Sequence, residues 1–288
     1  MTHAGTVVRR IGRVGFARSW PVRAALVVGG LVLFVALFGN LLAPHSQTAL
    51  VGAPFTSSSS EFPLGTDGLG RDVLSRVLWG GREIVLLALL ITLAAYLIGG
   101  AIGLVAGYGR SYTGEALMRA MDVVIAFPAL LFLLVVVTAL GTNIVAIVVG
   151  AIILNVPGIA RIIHAATLET SVKGYVEAAV ARGERESYVL LREILPNIVT
   201  PIAADAGPRL IAQIFLIAGL SFLGLGLQPP EANWALMITE NQVGLQLNPW
   251  PVAMPVILIA MLTISINTIA DAVARSVGTT IKEGTVIS

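Results

Sequence analysis

"YVEAAVARGERESYVLLREILPN", residues 175–197, sets Glu and Arg densely into a chain that is otherwise mostly apolar, interrupts them once at Gly183 and closes on Leu195-Pro196-Asn197. A stretch this charged does not cross a bilayer, where ionised side chains are costly. Its apolar residues still recur at helical spacing. Leu168, Val172, Val176, Ala179 and Val180 make one stripe, with Lys173, Glu177 and Arg182 directed elsewhere, so one helix is predicted up to Arg182. Gly183 permits a backbone turn at low steric cost. A second short helix follows, with Glu184 and Glu186 at its positive end, Val189, Leu190, Leu191 and Ile194 as its apolar members, and Pro196 to stop or kink it. The product is a helix-turn-helix elbow. Two uses fit it: docking into a groove of another protein, or lying as an amphipathic loop on lipid headgroups.

The rest of the chain supplies the setting. It has 288 residues, 56% hydrophobic and 12% charged, with a mean hydropathy of +0.90, which is the composition of an integral membrane protein. A spanning helix satisfies its own backbone hydrogen bonds and needs about 20 mostly apolar residues. Six segments qualify, some with their flanks: Ala24 to Leu42, Ile84 to Tyr108, Val123 to Leu140, Ile144 to Ala160, Ile198 to Leu227 and Trp250 to Ala270. The first follows a basic tail but is longer than a signal-peptide core and has no clear cleavage site after it, so it is expected to stay as an anchor.

The placement of the cations then sets an orientation. With the N-terminus inside, the cytoplasmic segments carry Arg9, Arg10, Arg13, Arg18, Arg23, Arg110, Arg119, Arg161, Lys173, Arg182, Arg185, Arg192, Arg275 and Lys282. Only Arg71, Arg76 and Arg82 fall outside, with Arg209 unassigned near the inner mouth of the fifth span. This bias puts both termini and the elbow in the cytosol. The formal charge of +2 and pI near 9.2 therefore report topology and not nucleic-acid binding.

Several chemistries lack their residues. There is no cysteine, and His3, His45 and His164 have no ligand spacing, which argues against thiol, disulfide and metal chemistry. No G-x-x-x-x-G-K-[ST] loop, G-x-S-x-G elbow or H-E-x-x-H pair occurs, so ATP would have to be hydrolysed by another chain and no active site is expected here. Asp122, Asp205 and Asp271 sit toward span ends. Asp205 is expected to pair with Arg209, and Asp122 with Arg119. Gly99, Gly100, Gly103 and Gly107 read as helix-packing positions. Gly224 and Gly226 admit two readings, close packing or a hinge at a gate. Pro128 interrupts the third span. Asn155 and Asn267 place amides in spans and are candidates for lining a path, or for bonding to neighbouring helices. Between Pro44 and Gly81 an irregular Ser- and Pro-rich loop precedes a stretch, Asp72 to Glu83, expected to form a helix lying along the outer surface.

Glu177-Ala178-Ala179, then Gly183, then Ile194-Leu195-Pro196-Asn197 resembles the EAA loop of membrane subunits of ATP-binding-cassette (ABC) importers, at the spacing of their dipeptide, oligopeptide and nickel branch. "PLGTDGLGRDVLSRVLWGGREIVL" (63–86), "MDVVIAFPALL" (121–131) and "SFLGLGLQPPEANW" (221–234) resemble other stretches of the C-subunit type, so the likeness covers roughly residues 20 to 276. The chain departs from the pattern at Arg185, where relatives place a small capping residue, at Glu193, where they place a basic one, and at Ala235 and Ala270, where they place Gly.

The resemblance implies an all-α polytopic membrane protein with a type I importer core. It divides the chain into a cytoplasmic tail (1–23), an anchor helix with an external loop (24–82), a five-helix permease core (83–275) containing a coupling loop (161–197), and a second tail (276–288). It also implies a role for Glu177, Ala178, Ala179, Gly183, Ile194, Leu195 and Pro196 in coupling to separate ATPase subunits that bind ATP and Mg. The implied partners are a homologous second permease subunit, two ATPases, an extracytoplasmic solute-binding protein and the bacterial inner membrane. The implied cargo is a short peptide, with nickel complexes, glutathione-like peptides and other small solutes open. An ion-coupled transporter and a non-transporting scaffold are the rivals from other classes.

Overall fold

A computed structural model of the chain describes residues 19–109, 112–226 and 230–284. His3, the N-terminal arginines up to Arg18, Arg110, Leu227 at the end of the expected fifth span, Gln228, Pro229 and the last four residues lie outside these. The described residues form helices and connecting loops without a strand. The helices are α1 (Trp20–Phe38), α2 (Val73–Tyr108), α3 (Tyr112–Ile125), α4 (Ala129–Leu140), α5 (Ile144–Ser171), α6 (Gly174–Ala181), α7 (Glu186–Tyr188), α8 (Val199–Phe222), α9 (Trp234–Asn241) and α10 (Trp250–Gly284). Five of them, α1, α2, α5, α8 and α10, are long and apolar enough to cross a membrane. The bundle has two ends: an elbow end carrying α6 and α7, and a cap end carrying α9 and the loop before α2.

The third expected span is not one helix. Its residues belong to α3 and α4, which meet at an 88° bend. Pro128 stands at the break as the residue before α4, with φ −59° and ψ 126°; it has no N–H to continue the ladder and disfavours helical backbone at Phe127. The expected surface helix over Asp72 to Glu83 is also corrected, because those residues are the first turns of α2. Asp72 accepts N–H bonds from Leu74 and Ser75 and so starts that helix, and nothing in the sequence stops it before Gly109. At 36 residues and about 1.5 Å per residue, α2 outreaches a hydrocarbon core of roughly 30 Å.

The firmest seam joins α2 to α5. Glycines recur every fourth residue on α2 because each faces a carbonyl of α5: a β-carbon would lie 2.8 Å from Val156 O at Gly99, 2.6 Å from Ala160 O at Gly103 and 2.7 Å from His164 O at Gly107. Small residues at this spacing let two helices approach without the hydrophobic effect to draw them together in lipid. Around the seam a buried core joins Val32 and Ala36 of α1, Ile84, Ala88 and Ile91 of α2, Ile214 and Ile217 of α8, Leu258 and Leu262 of α10, and Trp234. Leu89, Leu90, Leu93 and Leu97 of α2 instead face outward, which is the surface a membrane-spanning helix offers to lipid or to another subunit.

At the cap end, the loop before α2 is tied to α9 by buried charges. Asp67 accepts from Arg71 Nε at 2.7 Å and Arg76 Nη1 at 2.6 Å, and Glu240 of α9 accepts from Arg71 Nη2 at 3.0 Å and Arg76 Nη1 at 2.9 Å. Trp234 is fully buried at the start of α9 and donates its indole N–H to the Val77 carbonyl at 2.8 Å.

Candidate functional site

The elbow begins where α5 ends. One helix from Leu168 to Arg182 was expected, but α5 stops at Ser171 and α6 starts at Gly174, because Lys173 takes extended backbone at ψ 142° and turns the chain. That turn brings Val176 and Ala179 into the bundle while Leu168, Val172 and Val180 stay exposed, so two of the five residues of the predicted stripe are core. Gly183 has φ +79°. The N–H of Gly183 bonds to Val180 O at 2.9 Å and that of Glu184 to Ala179 O at 3.3 Å, the paired stop that a left-handed residue makes at a helix end.

The second arm is unusual in its winding. α7 passes into a π-helical turn, Val189–Ile194, and then a 3-10 turn, Leu195–Asn197. A π turn bonds residue i to i+5, so residues five apart share a face. Val189 and Ile194 are accordingly both buried, while Leu191 is exposed. Buried Val176, Ala179, Val189, Ile194 and Ile198 form one core with Val156, Ile159 and Ile163 of α5 and Ala95 and Leu104 of α2. Between the arms, burial and then the Glu193 carboxylate push the Tyr175 phenol above its ordinary range. Arg182 reaches Glu184 and Glu193 only at 3.7 and 3.9 Å, mostly exposed, and contributes little.

The residues for which the resemblance implies a coupling role divide by face. Ala179 and Ile194 anchor the elbow to the bundle and Leu195 is half-buried, whereas Glu177, Ala178, Gly183 and Pro196 are exposed. A concavity of about 530 Å³ opens on the outer side, lined by Gly183, Glu184, Arg185, Ser187, Tyr188, Leu191 and Arg192. Arg185 precedes α7 and its side chain makes no capping bond, in keeping with its departure from the small residue of the resembling pattern. The outer side of the elbow thus presents charge, an aromatic ring and an exposed Leu.

The remaining predicted positions are spread over the bundle. Gly224, at φ +74°, and Leu225, whose N–H reaches Leu220 O at 3.1 Å, end α8. A β-carbon at Gly226 would press on Ser221 at 2.2 Å, so Gly226 is a close-packing position. Pro128 lies exposed at the α3–α4 bend and Asn267 exposed on α10. Asn155 is buried, donates to Ala151 O at 2.8 Å and accepts from Gln213 of α8 at 2.8 Å. Asp205 and Arg209 pair as expected. Asp122 does not pair with Arg119: it bonds Arg161 at 2.5 Å, and Arg119 bonds Glu115 at 2.6 Å. The packing of α3 on α5 brings Arg161 across, and Glu115 one turn back occupies Arg119.

Two groups escaped the sequence reading. Tyr96 of α2 donates to Asp205 at 2.6 Å, and a Tyr hydroxyl in the interior of an apolar span is the one sequence sign of it. The Asp67, Arg71, Arg76 and Glu240 cluster joins residues more than 160 positions apart, which no local spacing reveals.

Compared with known proteins, residues 99–279 match the family described as "Binding-protein-dependent transport system inner membrane component". The chain is 33% identical over 258 residues to the glutathione transport system permease protein GsiD of Pectobacterium atrosepticum, covering 89% of this chain and 86% of that one. It is 30% identical over 263 residues to the di/tripeptide transport system permease protein DppC of Pseudomonas aeruginosa, covering 89% and 87%. Among solved structures, a chain of the methionine ABC transporter MetNI in an inward-facing conformation superposes with a TM-score of 0.58 at 17% identity, covering 70% of this chain and 96% of that one. That likeness is one of fold.

Proposed function

Because this chain belongs to the family of binding-protein-dependent transport system inner membrane components, we propose that it forms half of an ATP-driven import pathway for short peptides. The observation that carries the reading is the elbow: Glu177, Ala178 and Gly183 are open on one side, while Ala179, Val189 and Ile194 lock the same segment to α2 and α5 on the other. A push on the open face then moves the bundle core as a body, which is what a chain without a phosphate-binding loop of its own needs. Two separate ATPase subunits would bind ATP and Mg and seat the elbow. A homologous permease subunit would complete the pathway, and a solute-binding protein would deliver cargo at the cap end. In this reading the elbow and both termini face the cytoplasm of a bacterial cell. The peptide cargo follows the relatives named for dipeptide and tripeptide transport; a glutathione-type peptide is the second reading, favoured by a relative named for glutathione.

The test is uptake by the reconstituted complex in vesicles. Glu177→Lys should leave the complex assembled and cut ATP-dependent tripeptide uptake at least tenfold, with wild-type uptake insensitive to a proton uncoupler. Normal uptake by the variant would remove the elbow from coupling; wild-type uptake that proceeds without ATP would remove the ABC mechanism.

A further inference from the structure

A polar seam crosses the apolar bundle between α2, α5 and α8. Asp205, Arg209 and Gln213 follow one another at one-turn spacing along α8. Tyr96 of α2 donates its hydroxyl to the Asp205 carboxylate at 2.6 Å, and Arg209 Nε donates to the same oxygen. One turn on, Gln213 donates to Asn155 of α5, and its own Oε1 is buried without a partner among the described residues. Arg209 lies about 15 Å along α8 from Val199 at roughly 1.5 Å per residue, close to midway along this 24-residue helix and farther in than the inner-mouth position expected from the sequence. Gly158 of α5 makes room for it: a β-carbon there would come 2.8 Å from Nη2 and 2.9 Å from Nη1.

The guanidinium is oriented but not saturated. Nε is taken by Asp205, and the four N–H groups on Nη1 and Nη2 exceed what the adjacent Tyr96 oxygen can accept. The Arg209 side chain is 19% exposed. An arginine open at this depth is costly against lipid and calls for water or a polar ligand. Two helix-interior prolines lie at the same level: Pro157 frees the Ile153 carbonyl and Pro208 frees the Ala204 carbonyl. A carbonyl freed in this way within a span is satisfied by a neighbouring helix, by water or by a polar ligand.

We infer that Arg209 is a binding residue on the translocation path for the carboxylate of the passing cargo, held in position by Asp205 and Tyr96. The planar terminal nitrogens suit a carboxylate taken on two parallel N–H bonds. Partial neutralisation by Asp205 keeps the site weak, as a transit site must be for cargo to leave. The inference rests on the peptide reading above, with the C-terminal carboxylate as the group bound.

The experiment uses the complete transporter in vesicles, with its binding protein preloaded with trialanine or with trialanine amide. Arg209→Gln should lower the acid-to-amide uptake ratio at least tenfold relative to wild type while ATPase stimulation stays within twofold; Arg209→Lys should recover part of the ratio. Comparing ratios between variants cancels the binding protein's own preference. Should Arg209→Gln fail to assemble, Asp205→Asn/Arg209→Gln removes both charges together and is read in the same way. A ratio within twofold of wild type overturns the inference, and so does loss of both probes together with ATPase stimulation, the signature of a purely structural clamp. Wild-type vesicles that move neither probe remove the peptide cargo, and this subsite with it.

Discussion

Gly183 shows how one residue fixes the elbow. Its φ of +79° excludes most side chains, yet no heavy atom lies within 4 Å of where a β-carbon would sit. A substitution therefore meets backbone strain of about 1–2 kcal/mol and no steric clash. Gly183→Val should relax the turn, leave the bundle inserted, and reduce tripeptide uptake per ATP hydrolysed several-fold. Gly183→Asn, which tolerates the left-handed region, should stay close to wild type. Equal coupling in the Val variant would show that the angle at Gly183 is irrelevant. This requirement was legible in the sequence, since Gly stands alone in a charged run; the outward direction of Glu177 and inward direction of Ala179 was not, because it depends on the turn at Lys173.

At the scale of elements, the cap is the part most dependent on charge. Burial alone would raise the Asp67 carboxyl, but the Arg71 amide, the Arg76 and Arg71 guanidinia and the Leu69 amide outweigh it and hold the group below its usual value of 3.8. A carboxylate depressed in the folded state stabilises it fully above the unfolded value and loses that contribution as pH falls through the folded one. Thermal unfolding of the purified protein should accordingly show an acid-induced loss of stability that begins below about pH 4. Asp67→Asn should flatten that loss and destabilise at neutral pH by about 3 kcal/mol, because Arg76 remains buried with one acid fewer. An unchanged acid limb in the variant would assign it to other groups. The α2–α5 seam, by contrast, was visible beforehand as glycines four residues apart, although their partner carbonyls on α5 were not.

For the whole molecule, the decisive property is which end faces the cytosol. The chain has no cysteine, so single introduced thiols can be labelled without background. Arg185→Cys on the elbow should react with an impermeant maleimide only in inverted vesicles, and Leu50→Cys on the cap only in intact cells. The reverse pattern would place the elbow away from any cytosolic ATPase and end the coupling proposal. Five long apolar helices and a bent pair agree with the hydropathy of the sequence. The bend itself follows from Pro128, but its size of 88° does not.

The sequence by itself determined the class of protein, five of the places where the chain can cross a bilayer and the presence of a charged elbow. These depend on apolar run length, on backbone hydrogen bonding in lipid and on local turn chemistry. It also pointed to the Asp205–Arg209 pair, because residues four apart on a helix must lie on one face. The tertiary structure alone decided that α2 absorbs the supposed surface helix, that Asp122 reaches Arg161, that Asp67 and Glu240 share Arg71 and Arg76, and that Tyr96 and Gly158 frame Arg209. Each of these joins groups distant along the chain, and such contacts are fixed by how helices pack, not by spacing within any one of them.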